Sequence, residues 1–224
     1  MPTTPLKITA KLLDGRVNTS DGLIYLDAIL YHAWFLKYDP KVLTGEKKGT
    51  TKHYGLPLLN LPNNQYAASV GFYEEYDQNI EYWNKRPRWD KHQRMLNTDK
   101  GKIKTSVGLE RAYRVPQIIR TISDPEFYCI GTKEKIIDLL SYIPAIGKKP
   151  SAGWGKVIEW TVEDFEEDWT VYSDKYGIMR PLPIDVDYPF ATDSYRIEDL
   201  AIRPPSWKIK NQQTCYMPMV IVNE

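Results

Sequence analysis

The stretch IGKKPSAGWGKV, residues 146–157, lies between a segment with helical periodicity and a strand-like run that ends at Trp160. It contains three glycines, three lysines and one tryptophan. Glycine lets a backbone approach a ligand closely and adopt a positive φ. Lysine neutralises phosphate charge, and an indole ring can stack on a base. The composition therefore predicts a loop that binds a nucleic-acid backbone, with a purely structural glycine turn as the alternative.

The spacing of this glycine loop (residues 146–157) separates it from the common nucleotide-binding loops. A Walker A loop requires GxxxxGK[ST] and opens a helix. Here Gly153 is followed by Trp154 and Gly155, and the loop follows a helix instead of starting one. The dinucleotide fingerprint GxGxxG is absent as well. Nucleoside triphosphate binding is therefore excluded, and the density of lysines argues against a plain turn.

The segments on both sides of the loop have clear periodicity. Thr132 is a suitable N-cap and Glu134 suits a first helical turn, while Pro144 ends the helix. The apolar face of this predicted helix consists of Ile136, Leu139, Leu140 and Ile143. A strand is predicted over 156–162, after the loop.

The remaining chain predicts several further elements. Alternation over 6–13 predicts a strand, and a cap at Ser20 or Asp21 begins a helix over 23–38 that is apolar on nearly every side and should be buried. Residues 41–64 read as a loop. Further strands are predicted over 65–73, over 109–122 with a break near Pro116, over 126–130 and over 216–222.

This order of elements predicts an α+β fold. The strand–helix–strand unit occurs twice, which fits a ferredoxin-like or RRM-like β-α-β-β-α-β domain over residues 1–162. A basic insertion is predicted at about 74–106. An acidic, proline-rich C-terminal extension over 163–224 is expected to pack on the same domain. A fold of this kind does not by itself establish a function.

The charge of the chain is uneven although its formal net charge is only +1. Residues 83–120 contain eleven Lys or Arg against three Asp or Glu, a net of +8. Residues 159–199 contain twelve Asp or Glu against three Lys or Arg, a net of −9. The two regions either neutralise each other across the fold, or the basic one binds phosphate and the acidic one faces a protein partner or solvent.

The basic region mixes cations with aromatic side chains, a pattern that suits single-stranded RNA because charge follows the phosphates and rings stack on bases. A solvated loop without a ligand is the alternative. The candidate RNA-binding residues in this region are Arg86, Arg88, Trp89, Lys91, Arg94, Lys102, Lys104, Arg111 and Arg114. Those in the glycine loop are Gly147, Lys148, Lys149, Ser151, Gly153, Trp154, Gly155 and Lys156.

Other classes of function find little support in the residues. The longest apolar run, 23–36, is too short to cross a bilayer, and no signal peptide is evident. Cys129 and Cys215 form no CxxC pair, so a reduced cytoplasmic protein without a zinc site is expected. His32 is interpreted as a core residue, and only His53 or His92 could assist attack by a 2′-hydroxyl. We therefore expect no catalytic residue, metal or cofactor.

Four sequence segments resemble known CRISPR-associated proteins. The glycine loop followed by Glu159-Trp160 resembles the carboxy-terminal glycine-rich loop of the RAMP superfamily. Residues 25–30 (YLDAIL), 106–116 (SVGLERAYRVP) and 129–131 (CIG) resemble the subunit that caps the guide RNA in type IV effector complexes. The resemblance spans residues 6–162 in the same order. Pro150 departs from it, because the family often has another basic residue at this position.

The resemblance implies a non-catalytic, cytoplasmic RNA-binding subunit of a type IV CRISPR ribonucleoprotein. It would bind and cap the 5′ handle of the crRNA and contact the backbone and large subunits, with target DNA as a further candidate partner. The family loop maps onto Gly147, Lys148, Lys149, Gly153, Trp154 and Gly155, and bases would stack on Trp154 or Trp89. Two alternatives stay open: a metal-independent endoribonuclease that processes CRISPR repeat RNA, and a structural subunit whose basic segment meets acidic proteins.

Overall fold

A computed structural model describes residues 3–43, 55–86, 106 and 111–220. Its helices are α1 (Leu26–Tyr38), α2 (Pro40–Leu43) and α3 (Lys133–Leu140). Its strands are β1 (Thr4–Leu12), β2 (Arg16–Asn18), β3 (Glu75–Lys85), β4 (Tyr113–Ile122), β5 (Glu126–Gly131), β6 (Val157–Asp164), β7 (Tyr172–Ser173), β8 (Gly177–Ile178), β9 (Leu182–Pro183), β10 (Ile197–Ala201) and β11 (Gln212–Tyr216). All strand pairs among these elements are antiparallel.

Strand β1 is the centre of the main sheet, whose order is β5-β1-β6. Leu6, Ile8 and Ala10 are fully buried, while the residues between them are half-buried. This alternation is the period of a strand with one face on the core. The predicted strands over 6–13, 126–130 and 156–162 are confirmed, as is the helix after Thr132. The fold is α+β, as predicted.

Helix α1 begins three residues later than the sequence predicts. Tyr25 forms an isolated bridge with Val70, so the preceding residues are extended instead of helical. Asp21 accepts a hydrogen bond from the Leu23 amide at 3.2 Å within a turn and does not cap the helix. The helix is also less buried than predicted, since His32 is exposed. The interpretation of His32 as a core residue is therefore wrong.

Residues 65–73 are buried throughout but do not form the predicted regular strand. Ala68 and Phe72 make isolated bridges to β5. The buried Arg180 donates to the carbonyl oxygens of Tyr66 and Ala68, the latter at 3.0 Å, and the Val70 amide donates to Met179 at 2.9 Å. These contacts divert backbone groups that a continuous ladder needs. Among the described residues, the sheet thus remains three-stranded with an irregular neighbour.

Strands β3 and β4 form a long hairpin, in which β3 lies within the predicted insertion at about 74–106 and β4 within the predicted strand over 109–122. Pro116 lies within β4, opposite Tyr82, and does not break the strand. Strand β2 pairs with β4 only at Ile119–Thr121, so the second edge of β4 is uncovered at Pro116 and the missing N–H is tolerated there. Residues 87–105 of the predicted insertion, and residues 107–110 after it, lie outside the described residues.

The C-terminal extension contributes its own sheet, with order β10-β11-β9. Met179, Leu200 and Cys215 belong to the same hydrophobic cluster as the buried residues of β1. The predicted final strand over 216–222 is wrong for residues 217–220: β11 pairs with β10 and ends at Tyr216, two residues before Pro218, which cannot donate to a ladder. Residues 221 and 222 lie outside the described residues. No helix in the described part of the chain is long and apolar enough to cross a membrane.

Candidate nucleic-acid interface

The glycine loop is held at its base by the short strand β2. The Lys148 amide donates to the Asn18 carbonyl oxygen at 2.8 Å, and the Gly155 amide donates to the Arg16 carbonyl oxygen at 2.6 Å. The two ends of the loop are joined by a 2.8 Å bond from the Ile146 amide to the Gly155 carbonyl oxygen. These three backbone bonds fix both ends of the loop to the strand and to each other.

Two of the three loop glycines are required by space as well as by conformation. At Gly147, with φ +79°, an added Cβ would lie 2.7 Å from the Val17 side chain. At Gly155, with φ +68°, it would lie 1.9 Å from the Ile146 carbonyl oxygen. Gly153 has φ +92° but nothing within 4 Å of the same position. Gly147 and Gly155 therefore make the base of the loop, whereas Gly153 faces open space.

The loop lies against one face of the β3–β4 hairpin. The Lys149 ammonium sits 4.4 Å from the centre of the Trp83 ring, a cation–π contact. Lys149 itself has φ +55°, a left-handed conformation that few non-glycine residues adopt. The Trp83 indole N–H donates to the Tyr113 hydroxyl at 3.0 Å, which fixes the ring.

Between loop and hairpin is a cleft of about 250 Å³, referred to here as the loop–hairpin cleft. It is lined by Trp83, Arg111, Tyr113, Val115 and Lys149. Among the residues that the structure describes, this lining contains two cations and two aromatic rings but no carboxylate. Such a combination can neutralise phosphate and stack a base.

The structure separates the predicted cations into groups. Arg111 and Lys149 meet at the cleft, and Arg86 is exposed just after β3. Arg114 lies elsewhere, because its guanidinium covers the Tyr82 ring at 3.9 Å on the opposite face of the hairpin. Arg114 therefore does not line the loop–hairpin cleft, and its role in RNA binding stays a prediction. Arg88, Trp89, Lys91, Arg94, Lys102 and Lys104 lie outside the described residues.

Within the loop, Lys148, Lys149, Ser151 and Lys156 are exposed. The Lys148 ammonium donates to the Ser20 hydroxyl at 2.7 Å, which holds it beside β2. Trp154 is only 7% exposed. The prediction that a base stacks on Trp154 is wrong in this conformation, because the ring is covered by protein and anchors the loop instead.

Sequence reasoning missed Trp83 and Tyr113. Only the pairing register of the hairpin brings Trp83 opposite Val115, and only the packing of the loop brings Lys149 over its ring. The one signal in the sequence is the position of Trp83 two residues before Lys85-Arg86, at the start of the basic region.

Other chemistry has few candidate groups in the described ranges. His32 is the one histidine they contain, and no group of three or more His, Cys, Asp or Glu among them could hold a metal ion. Cys129 and Cys215 are free and buried, and burial raises the pKa of each thiol to about 12. Both thiols are therefore protonated and poor nucleophiles at neutral pH.

Comparison with curated proteins gave no match for this chain. The family model of CRISPR type IV associated protein Csf3 matches residues 62–218. This range contains the hairpin, α3, the glycine loop and most of the C-terminal extension. The family match therefore continues well past residue 162, the end of the resemblance described from the sequence. The match covers more than half of the 224 residues. The chain therefore belongs to the CRISPR type IV associated protein Csf3 family.

Proposed function

We propose that this type IV CRISPR-associated subunit binds and caps the 5′ handle of the guide crRNA. The RNA backbone lies along the glycine loop and enters the loop–hairpin cleft. The observation that carries the proposal is the exposed set of loop lysines, held by backbone bonds to β2 and placed beside Trp83 and Arg111.

The geometry suits a single strand better than a duplex. A cleft of about 250 Å³ with an aromatic wall admits one base and its phosphate. Lys149 covers the Trp83 ring in the free protein, and its ammonium can move to a phosphate when a base takes its place. Lys148 and Lys156 extend the positive surface along the loop. Sequence-independent contacts of this kind fit a subunit that grips a defined end of an RNA.

The fold proposed for this role is an irregular RRM-like domain of the RAMP superfamily. Strands β5 and β6 are joined through α3 and flank β1 on both sides, which is three-quarters of a ferredoxin-like sheet. The bridged segment 65–73 beside β5 stands in for the fourth strand. The acidic extension after residue 162 offers a separate surface for the backbone and large subunits, with target DNA reached through the complex.

We further propose that the subunit does not cleave RNA. Purified protein incubated with repeat RNA in EDTA should retard the RNA and leave it intact. A product ending in a 2′,3′-cyclic phosphate would instead establish a metal-independent endoribonuclease.

The test of RNA binding is the double substitution Lys148→Ala with Lys149→Ala. Each lost phosphate contact on a single strand reduces the salt slope of log K by about 0.7, so the double variant should bind more weakly with a slope about 1.4 less negative. A matched control replaces Lys135 and Lys210, which are exposed on α3 and before β11, and should keep both affinity and slope.

Fluorescence anisotropy with labelled handle RNA measures these slopes when the salt concentration is varied from about 50 to about 300 mM. If the loop variant matches the wild type in affinity and slope while the protein stays folded, the loop does not bind the RNA backbone. Equal losses in the loop and control variants would show a diffuse charge effect and would also refute the assignment.

A further inference from the structure

A second cavity lies on the other flank of the glycine loop. It has a volume of about 750 Å³, which is within the range of ordinary ligand pockets. Gly147, Lys148 and Pro150 of the loop form one wall, and the start of α1 forms the floor. Residues of the C-terminal extension, including Asp199 and Trp207, form the far wall. The cavity is therefore built by three parts of the chain that meet beside the proposed RNA path.

The walls of the cavity carry charged groups of both signs. Lys148 is a cation on the wall shared with the loop, whereas the exposed residues Asp21 and Asp199 supply carboxylates to the lining. The Asp21 Oδ1 atom accepts from the Thr19 hydroxyl and the Leu23 amide, both at 3.2 Å, and Asp199 Oδ1 accepts from the Thr214 hydroxyl at 2.8 Å. These bonds orient each carboxylate by one oxygen and leave acceptor capacity on the other.

Trp207 supplies a flat apolar surface at this cavity. Its side chain is 76% exposed, which is unusual for the largest apolar residue type. Ala28 and Ile29 of α1 contribute apolar side chains to the floor, and His32 lines it beside them. The lining thus combines a cation, an aromatic ring and hydrogen-bond acceptors, which match the three parts of a nucleotide: phosphate, base face and base edge.

We propose that this cavity holds one nucleobase turned out of the bound RNA strand, stacked on Trp207, with its phosphate near Lys148. The Asp21 and Asp199 carboxylates accept hydrogen bonds from an exocyclic amino group, so the base is adenine, cytosine or guanine in preference to uracil. The proposal rests on RNA binding by the glycine loop and adds a base-reading site to it. A protein side chain is the competing occupant, but the shared Lys148 and the continuity with the loop favour RNA.

The experiment uses the full chain and handle RNA carrying 2-aminopurine, a fluorescent base with an exocyclic amino group, at each position in turn. At one position, emission should fall several-fold on binding because the base stacks on indole. Trp207→Ala should restore that emission and weaken binding about tenfold. Ile209→Ala is the matched control, since Ile209 is 85% exposed nearby but does not line the cavity, and it should change neither signal.

Two further variants test the site independently of Trp207. Ala28→Phe fills the floor of the cavity and should remove the quenching at the same position. Asp21→Asn keeps the acceptor used by the Leu23 amide and should reduce the preference for an amino-bearing base over uracil there.

The outcomes separate this inference from the proposed function. If RNA binds and depends on Lys148 and Lys149, yet no position is quenched through Trp207, the base site is refuted and the loop assignment stands. If Trp207→Ala lowers copurification of another subunit with RNA affinity unchanged, a protein occupies the cavity and the base site is refuted. If the wild type binds no handle RNA, both proposals fail.

Discussion

Gly155→Ala is the substitution that most directly tests how the loop is built. The residue has φ +68°, its amide donates to Arg16, and its carbonyl oxygen accepts from Ile146. A Cβ at this position would lie 1.9 Å from the Ile146 carbonyl oxygen, so the backbone of the loop base must move apart. Gly153→Ala is the matched control, because it also has a positive φ but no atom within 4 Å of the added carbon.

The size of each effect follows from these contacts. An alanine with positive φ costs about 1 to 2 kcal/mol, and this applies to both variants. Gly155→Ala additionally loses one or two backbone hydrogen bonds, each about 1 kcal/mol net. We expect it to lose about 3 kcal/mol of unfolding free energy, against about 1 kcal/mol for Gly153→Ala. In a chain of this length the former corresponds to a fall in Tm of about 6 to 12 °C.

Urea unfolding and thermal melting monitored by circular dichroism measure both variants, and anisotropy with handle RNA measures affinity. Gly155→Ala should also weaken RNA binding, because the loop lysines depend on the displaced backbone. Equal destabilisation of the two variants, or a Gly155→Ala protein as stable as the wild type, would refute the reasoning about the loop base.

Two further predictions concern single side chains. Trp83→Ala should weaken handle RNA binding about 5- to 10-fold in the same anisotropy assay, since it removes a stacking surface. Trp83→Phe should keep most of the wild-type affinity. Equal affinities of Trp83→Ala and the wild type would exclude Trp83 from the site. Burial raises the pKa of Asp27 above its usual value near 4, despite the nearby Arg180 guanidinium. The folded state then binds more protons than the unfolded state as pH rises from about 4, so the wild type should lose unfolding free energy relative to Asp27→Asn over that range. Urea titrations from about pH 4 to 7 measure this difference, and a constant offset between the two curves would contradict it.

The sequence predicts best those elements whose periodicity coincides with their burial. In β1, alternate apolar residues face the core, and in α3 the apolar positions Ile136, Leu139 and Leu140 are the buried ones. The position of the glycine loop between α3 and β6 follows from the same local patterns. For β1, the distant partner strands β5 and β6 leave buried the same face that the local pattern marks as apolar, so pattern and packing agree.

Elements shaped by distant partners were not predicted. Residues 65–73 have the composition of a strand, but Arg180 and Met179 take their backbone groups from more than a hundred positions away. Likewise, Trp83 and Lys149 are sixty-six positions apart, and no local pattern brings them together. For Trp154, the sequence predicts the position of the loop but not the direction of the indole ring, which is buried. The residues of a loop do not show which side chains turn toward the protein.

Strand β2 is three residues long, yet it is joined both to the loop through Arg16 and Asn18 and to β4 through its ladder. The spacing between Lys149 and Trp83 is therefore set from β2 and does not depend on the chain that connects Lys85 to Tyr113. A change that weakens β2 is therefore expected to shift the loop and the hairpin relative to each other, although no residue of β2 lines the cleft.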